Sequence, residues 1–567
     1  MDYPSSWILE VMTNKAPKDK ANKRNAMPTS FENKKVAYFS MEFAVHQSLK
    51  IYSGGLGFLA GSHMRSAHEL KQNLVGVGIL YSNGYHDQIR NADGYMENRF
   101  IKKRYSYLKD TGKLFSIIIH GASVKVRAYL LAPEVFGTVP IYLLTTDIPE
   151  NDFLSRSISF RLYDNDLAAK IAQFILLGVG GAKLLEIMNE EPDVYHMNEG
   201  HGLALTFYLY SKLKNLDEVR KRVVFTTHTP EKAGNAEIEL KLLHEMGFFG
   251  SIPLDEVKRL ANPKGDTLNF TVTALRMSRI ANGVSKIHQS VATEMWGKNK
   301  GVCTILSITN AQNKNFWMDR ELEDSLNKNE TDSLLRRKKK LKEELFEIVA
   351  DQTGKLFDTD VLTIVWARRF TSYKRAGLIL KDFERFQKLV TQIDKPIQVI
   401  WAGKTYPEDY AAIYEFNRLI NTTSELRRCA VLVGYELKLS AVLKKGADVW
   451  LNTPRYSREA SGTSGMTAAM NGTINFSIPD GWVPEFASHG ENAFVIPVSK
   501  STSTETQDTE ESMSLLDILE NEIIPMYYDE KEKWVNIMKN SMKDVLPIFN
   551  SGRMAKEYYE KLYNHPS

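Results

Sequence analysis

The stretch Glu459–Gly472, EASGTSGMTAAMNG, constrains the fold of this chain more than any other. An apolar run, Asp448-Val449-Trp450-Leu451, precedes it and reads as a parallel strand, and Thr473–Ser477 follows it as another. Between them, small residues lead into a short helical pattern at Met466, Ala468, Ala469 and Met470, which Gly472 can terminate. Strand, glycine-rich turn and helix start together present several backbone N–H groups to an anion or a cluster of hydroxyls. Glu459 stands at the mouth of that turn, placed to accept hydrogen bonds from a polar ligand. A single turn of this kind is more often a plain connection, so its weight depends on the remainder of the chain.

The same unit recurs. Val36–Phe39 reads as a buried strand, followed by Tyr52-Ser53-Gly54-Gly55-Leu56-Gly57 and a helical pattern carrying Leu59, Met64, Ala67 and Leu70. Leu74–Tyr81 is a second strand, with Asn83-Gly84 as a hairpin turn after it. β-type alternation runs to about residue 150, through Phe115–Ile119 and Val139–Thr145, and Leu167–Met188 reads as a long buried apolar helix. Val194–His201 is a strand running into a helix, and Val223–Thr227 is a strand ending at His228-Thr229-Pro230. After residue 310 come further strands at Leu362–Ala367, Ile397–Ala402 and Val431–Val433, then a helix over Leu437–Lys445. Strands that alternate with helices and end in polar residues predict an α/β protein of doubly wound parallel sheets, with ligands at the C-terminal strand ends. The expected organisation is a polar lead-in (1–34), a first doubly wound domain (35–310), a second (311–530) facing it across a central cleft, and C-terminal helices (531–567) that cross back to the first. Residues 499–512, rich in Ser, Thr, Glu and Gln, read as a surface loop.

Four cations, Arg368, Arg369, Lys374 and Arg375, follow the Leu362–Ala367 strand closely; facing the cleft, they would suit a phosphate or diphosphate. Arg336–Lys340 is also basic, but it sits in a helical pattern with Leu341, Leu345 and Ile348 and reads as a solvated helix face. With 73 basic and 69 acidic residues the net charge is only +4, which gives no pull toward nucleic acid or a membrane. Two cysteines, Cys303 and Cys429, suggest neither a disulfide framework nor a cysteine metal cluster, and a cytoplasmic location is expected. The longest apolar segment, Ile171–Ala182, is short of the roughly 20 residues that span a bilayer. His196 and His201 lack the spacing of a helical zinc pair, so no metal is expected. Gly462-Thr463-Ser464-Gly465-Met466 lacks the glycine that a serine-nucleophile elbow requires.

Read together, these motifs resemble the α-glucan (glycogen/maltodextrin) phosphorylases, especially their shorter bacterial branch, from about Val36 to Phe486. The resemblance is carried by Tyr38-Phe39-Ser40-Met41-Glu42-Phe43, Tyr52–Gly57, His196-Met197-Asn198-Glu199-Gly200-His201 and Thr226-Thr227-His228-Thr229-Pro230. Ala281-Asn282-Gly283-Val284-Ser285-Lys286, Arg368-Arg369-Phe370 with Tyr373-Lys374-Arg375, and Glu459–Thr463 complete it. It implies the GT-B glycosyltransferase fold, two Rossmann-like domains about a cleft, and retaining transfer of an α-glucosyl unit between an α-glucan or maltooligosaccharide and phosphate. By the same resemblance, Gly54, Gly55 and Gly57 approach phosphate and His228 lies against the donor sugar. Arg369 and Lys374, with Arg368 beside them, bind the transferred or cofactor phosphate. Glu459, Ser461, Gly462 and Asn310 hold the sugar, and Thr463 lies near the cofactor phosphate. His228, Arg369, Lys374 and Glu459 are the catalytic candidates.

Three departures stand against those matches. The family carries its pyridoxal phosphate lysine eight residues after the glutamate; here that position is Thr467, which cannot form the Schiff base. An aspartate becomes Ser62, and a Gly-Val-His run becomes Ala311-Gln312-Asn313. Pyridoxal phosphate is therefore implied by resemblance but not attachable at Thr467. A glycogen-synthase-like transferase with a nucleotide sugar as donor, and a glucan-binding pseudoenzyme, are the competing readings; a homodimer is among the candidate assemblies.

Overall fold

The computed structural model describes residues 33–230 and 235–566. The expected polar lead-in over 1–34 lies, except for its last two residues, outside the described residues. Two large sheets organise the rest. The first has nine strands, in the spatial order Ile305–Ser307, Ile280–Gly283, Val223–Thr226, Val194–Asn198, Val36–Phe39, Leu74–Ile79, Ile141–Thr145, Ala122–Leu131 and Lys109–Ile119. Its first seven are parallel and the last two are joined antiparallel. The second has six, all parallel: Cys429–Leu432, Ile397–Ala402, Leu362–Ala367, Val449–Asn452, Ile474–Ser477 and Ala493–Val495.

Both sheets reverse direction once. In the second, the chain starts at Leu362–Ala367, steps outward through two strands, then returns to the other flank at Val449–Asn452. In the first it starts at Val36–Phe39 and reverses when Val194–Asn198 takes the opposite flank. Crevices form at such reversals, where neighbouring loops diverge at the carboxyl ends. The loops concerned carry Glu42 and Glu199 in one sheet, and Arg368–Lys374 and Glu459 in the other.

The apolar runs follow from burial on both faces. Along Leu362–Ala367, Leu362, Ile364 and Trp366 enter one core while Val365 and Ala367 enter another with Trp450 and Ala468. The C-terminal chain joins both sheets' cores. Trp534, Met538 and Met542 pack with the second, and Met554, Tyr558, Leu562 and Tyr563 with the first. Leu167–Ile187 is long and apolar enough to cross a membrane, yet 67% of its most apolar window is buried within the fold. Its Gly181 allows this approach, because a Cβ there would meet Phe39 and Val77 at 2.6 and 2.7 Å.

The structure corrects four expectations. Asn83-Gly84 turns the chain, with Gly84 at φ +67, but closes no hairpin, because Leu74–Ile79 takes parallel partners on both sides. Residues 504–518 are helical, capped by Ser503, and Glu511 on that helix is buried. The Arg336–Lys340 face is not wholly solvated: Arg337 pairs with Asp319 at 2.7 Å, and buried Lys338 donates to Lys445 O, Asn471 O and Thr473 Oγ1. Arg375 does not face a cleft. Its guanidinium is consumed by Thr453 O, Pro454 O, Asp508 and Glu511, at 2.5–2.9 Å.

Candidate active site

At the second sheet's reversal, two cations converge on one carboxylate. Lys374 Nζ lies 3.2 Å from Glu459 Oε2 and 3.3 Å from Oε1, and Arg368 Nη1 lies 3.3 Å from Oε2. All three side chains are nearly buried. Arg368 continues directly from its strand, held by its N–H donating to Ala402 O, while Lys374 closes a single 3-10 turn over Ser372–Lys374. Glu459 is aimed by its own backbone: the N–H groups of Arg458, Glu459 and Gly481 all donate to Asp480, at 2.8–3.0 Å.

The charges do not balance. Arg368, Arg369 and Lys374 face one glutamate, and the strain falls on the lysine, the most readily deprotonated of the cations. Burial first, then repulsion from Arg368, pulls the Lys374 amine from 10.5 down to about 7, against the attraction of Glu459. Burial would raise the Glu459 carboxyl, but Lys374 and Arg368 overcome it and hold the group low. Asp480 is pushed up to about 7 by burial and, among its charged neighbours, by Glu459. A net positive, poorly solvated cluster of this kind stabilises a doubly charged anion.

This charge state gives a measurable pH dependence. Sulfate remains a dianion near neutrality, so its affinity isolates the titration of the protein. Sulfate binding, followed by isothermal titration, is expected to weaken about tenfold or more as pH rises through and beyond about 7, when the free Lys374 loses its proton. An affinity that stays flat across that range would remove Lys374 from the anion site.

On the loops that follow strands of both sheets, buried polar atoms find no hydrogen-bond partner among the described residues. They include Ser461 Oγ, Asn310 Oδ1, Asn452 Oδ1, Trp482 Nε1, Thr227 Oγ1 and Arg368 Nε. Each such group costs about 1–3 kcal/mol when left unsatisfied. Some are tied to the turn that follows Glu459. Trp482 N donates to Ser461 O, Ser285 Oγ to Ala460 O at 2.6 Å, and Asn310 N to Val284 O. Unsatisfied donors and acceptors at these strand ends suit a ligand rich in hydroxyls.

The first sheet contributes His228, at the end of Val223–Thr226. Its Nε2 lies 2.6 Å from Asn198 Oδ1, and Asn198 Nδ2 donates to Ser40 Oγ, so Nε2 carries the hydrogen. Burial lowers the imidazole to about 3, which keeps it neutral. Glu199, at φ +73, bends to accept from the backbone of His228 and Gly200 and from Thr229 Oγ1. A glutamate held in that region costs about 1–3 kcal/mol, a strain typical of functional loops. His228 makes no direct hydrogen bond to Glu459; between them, His288 donates its backbone N–H to Ser285 Oγ, which donates to Ala460 O beside Glu459.

The glycine loop is tied down by Glu42, which accepts from Ser53 N and Oγ at 2.7 and 2.8 Å and from Gly54 N at 3.3 Å. Tyr163 Oη donates to the same carboxylate at 2.6 Å. The charge of Arg369 acts on Tyr163, Tyr85 and Tyr373, so this exposed arginine stands between the glycine loop and the Lys374–Glu459 pair. Gly54 and Gly55 have open space where a Cβ would sit, whereas one on Gly57 would meet Tyr52 Cβ at 2.6 Å and Glu42 Oε2 at 2.9 Å. Gly462, at φ +84, lets the turn pass Glu459. Thr463 precedes the Ser464–Ala469 helix, and Thr467 is wholly buried inside it.

Sequence reasoning left Glu42, Asp480 and Ser285 without roles. Glu42 and Ser285 lay within quoted motifs. Asp480 had only a Pro-Asp-Gly turn signal after a strand, which announces a turn and not its hydrogen-bond partners.

Comparison with known proteins gives one answer. Residues 299–521 match the family model for carbohydrate phosphorylase. An uncharacterized protein of Methanocaldococcus jannaschii is 47% identical over 531 residues, covering 94% of this chain and 100% of that protein. The maltodextrin phosphorylase of Thermococcus litoralis is 35% identical, over 93% of this chain and 70% of its own length. The glycogen phosphorylase of Aquifex aeolicus is 33% identical, over 94% and 86% respectively.

Proposed function

The chain belongs to the carbohydrate phosphorylase family, and from that membership we propose that it is a retaining glucosyltransferase that moves an α-glucosyl unit between an α-glucan and phosphate. The observation that carries this reading is the excess positive charge of Arg368, Arg369 and Lys374 around Glu459, with unsatisfied polar groups at the strand ends of both sheets. In this reading the two sheets are the halves of a GT-B fold, their reversals facing one cleft, and the enzyme works in the cytoplasm.

The chemistry follows from the charges. As the bond from the anomeric carbon to oxygen breaks, the sugar gains positive charge and phosphate departs with negative charge. Lys374 and Arg368, both nearly buried, stabilise the departing phosphate where each contact is stronger than in solution, with the exposed Arg369 beside them. Glu459, with Ser461 and Asn310, holds the ring hydroxyls and fixes the anomeric carbon against the phosphate. Neutral His228 contributes a polar contact without adding charge near the developing cation.

The family brings pyridoxal phosphate with it. Thr467 offers no amine and spends its Oγ1 on Ser464 O at 2.9 Å, so residue 467 does not fit a covalent attachment. Lys374 with Arg369 supplies cations for a phosphate, but among the described residues no amine stands beside them in place of the missing lysine other than that of Lys374 itself, which is committed to Glu459. The residues present therefore do not fit covalently held pyridoxal phosphate, and no step above is derived from it.

Thr467 also favours a second reading, a nucleotide sugar as donor in a site that needs no lysine. Incubation with maltooligosaccharide and inorganic phosphate tests the first. Release of α-glucose 1-phosphate with shortening of the glucan is the expected result, and no product with glucan bound would leave a binding role.

A further inference from the structure

Glu485 joins loops of the two sheets, next to the groups read above as holding the sugar. It follows Ile474–Ser477 of the second sheet and ends a single 3-10 turn over Val483–Glu485. Its two oxygens go to different segments of the first sheet's half. Oε1 accepts from Lys286 N at 2.8 Å, and Oε2 accepts from Thr309 Oγ1 at 2.8 Å. Lys286 opens the helix Lys286–Trp296, and the N–H groups at a helix start favour a carboxylate. Thr309 follows the strand Ile305–Ser307, and its carbonyl accepts from Arg553 Nη2 of the C-terminal chain at 2.7 Å.

Each partner is the neighbour of a site residue. Thr309 precedes Asn310, and Lys286 follows Ser285, whose Oγ donates to Ala460 O, between Glu459 and Ser461, at 2.6 Å. Asn310 Oδ1 and Ser461 Oγ are buried without a hydrogen-bond partner among the described residues, which leaves both for a ligand. Neither atom bonds the other, so their separation is set by what holds their neighbours. Those ties are the two bonds of Glu485 and the one from Ser285. Glu459 is held separately, through the backbone N–H groups that donate to Asp480, so the anion cluster does not rely on the Glu485 side chain.

We infer that Glu485 is a positioning residue of the sugar site: it sets Asn310, on the first sheet's half, and the turn after Glu459, on the second's, at one separation, so that both close on the same ring. Alignment of this kind counts most in the transition state, where a misplacement of about 1 Å can cost about 10²-fold. The inference rests on the family reading for the sugar, but hydrogen exchange reads the tie itself without turnover, so either can fail alone.

Glu485→Ala removes both acceptors, and Glu485→Gln keeps one, because an amide has a single acceptor oxygen. With glucose 1-phosphate and a maltooligosaccharide, kcat is expected to fall about 10–10²-fold in Glu485→Ala and less in Glu485→Gln. The KM for glucose 1-phosphate and the affinity for sulfate should stay within about threefold of wild type, because what is lost is alignment and not anion binding. Hydrogen exchange followed by mass spectrometry should quicken at residues 284–288 and 308–312 in Glu485→Ala and match wild type at residues 368–374. Thr309→Val, which loses one bond, should quicken 308–312 alone, and it carries the test if Glu485→Ala does not fold. Unchanged exchange at both segments would overturn the inference. So would a kcat within about twofold of wild type, or a loss of sulfate affinity as large as the loss of kcat, which marks damage to the whole site. A wild-type protein inert toward glucose 1-phosphate would remove the family reading instead, and the exchange map would still decide whether Glu485 holds the two segments.

Discussion

Replacement of Lys374 by methionine is expected to lower kcat/KM with glucose 1-phosphate about 10²–10³-fold while leaving the fold at least as stable as wild type. Methionine matches the lysine stem in bulk and keeps the side chain's packing, and Arg368 remains as a partner for Glu459. What disappears is a charge that the transition state needs and that the resting fold resists. The resistance has a pH signature. Between about 7 and 10.5 the unfolded chain holds a proton that the folded chain has released, so wild-type stability rises with pH across that window. The cost of protonated Lys374 is fully present below about 7. The stability advantage of the variant should therefore be largest there and fade toward pH 10.5. Activity within threefold of wild type, or a stability advantage that grows with pH, would contradict the account. Loss of function combined with gain of stability marks a side chain retained for chemistry and not for folding.

Gly403→Ala is expected to destabilise the protein by about 3 kcal/mol, near the top of the range for overpacking, and to reduce activity through Arg368. The added Cβ would fall inside the van der Waals envelope of Arg368 O and would meet the Phe370 ring at 2.7 and 2.8 Å. Neither neighbour can yield easily. Arg368 N is bound to Ala402 O at 3.2 Å and Phe370 N to Lys404 O at 2.9 Å, which clamps the two strand ends together. Relief therefore requires Arg368 to move, and the 3.3 Å contact with Glu459 moves with it. Gly54→Ala is the control. Its φ of −177° suits any residue and no atom lies within 4 Å of the new Cβ, so its thermal unfolding should match wild type. Equal melting of both variants would show that the Gly403 turn is not packed as described.

What was legible in the sequence was mostly local. Runs such as Leu362–Ala367 declare strands buried on both faces, Gly57 marks a close approach at the start of a helix, and Gly462 announces a turn. The pairing of Glu459 with Arg368 and Lys374 was within reach because both segments follow strands of one sheet. Side chains that find partners far along the chain were not legible. Arg375 resembles its neighbours in sequence but is claimed by Asp508 and Glu511, on a helix whose Ser- and Thr-rich start reads as a loop. Lys338 looks like one of five surface cations until the Asn471 and Thr473 oxygens surround it. Lys444 lies in an unremarkable helix, and only the fold brings it to Trp317. Burial, the main cause of the lowered amines, is a property of the assembled chain.

The most direct measurement of the central claim is a donor comparison on a maltooligosaccharide acceptor. Glucose 1-phosphate, UDP-glucose and ADP-glucose are each supplied, with and without pyridoxal phosphate, and released phosphate or nucleoside diphosphate is quantified beside the growth of the glucan. The account predicts phosphate release and glucan elongation from glucose 1-phosphate alone, with transfer lost in Lys374→Met. Nucleoside diphosphate released from either nucleotide sugar, with glucose 1-phosphate inert, would contradict it.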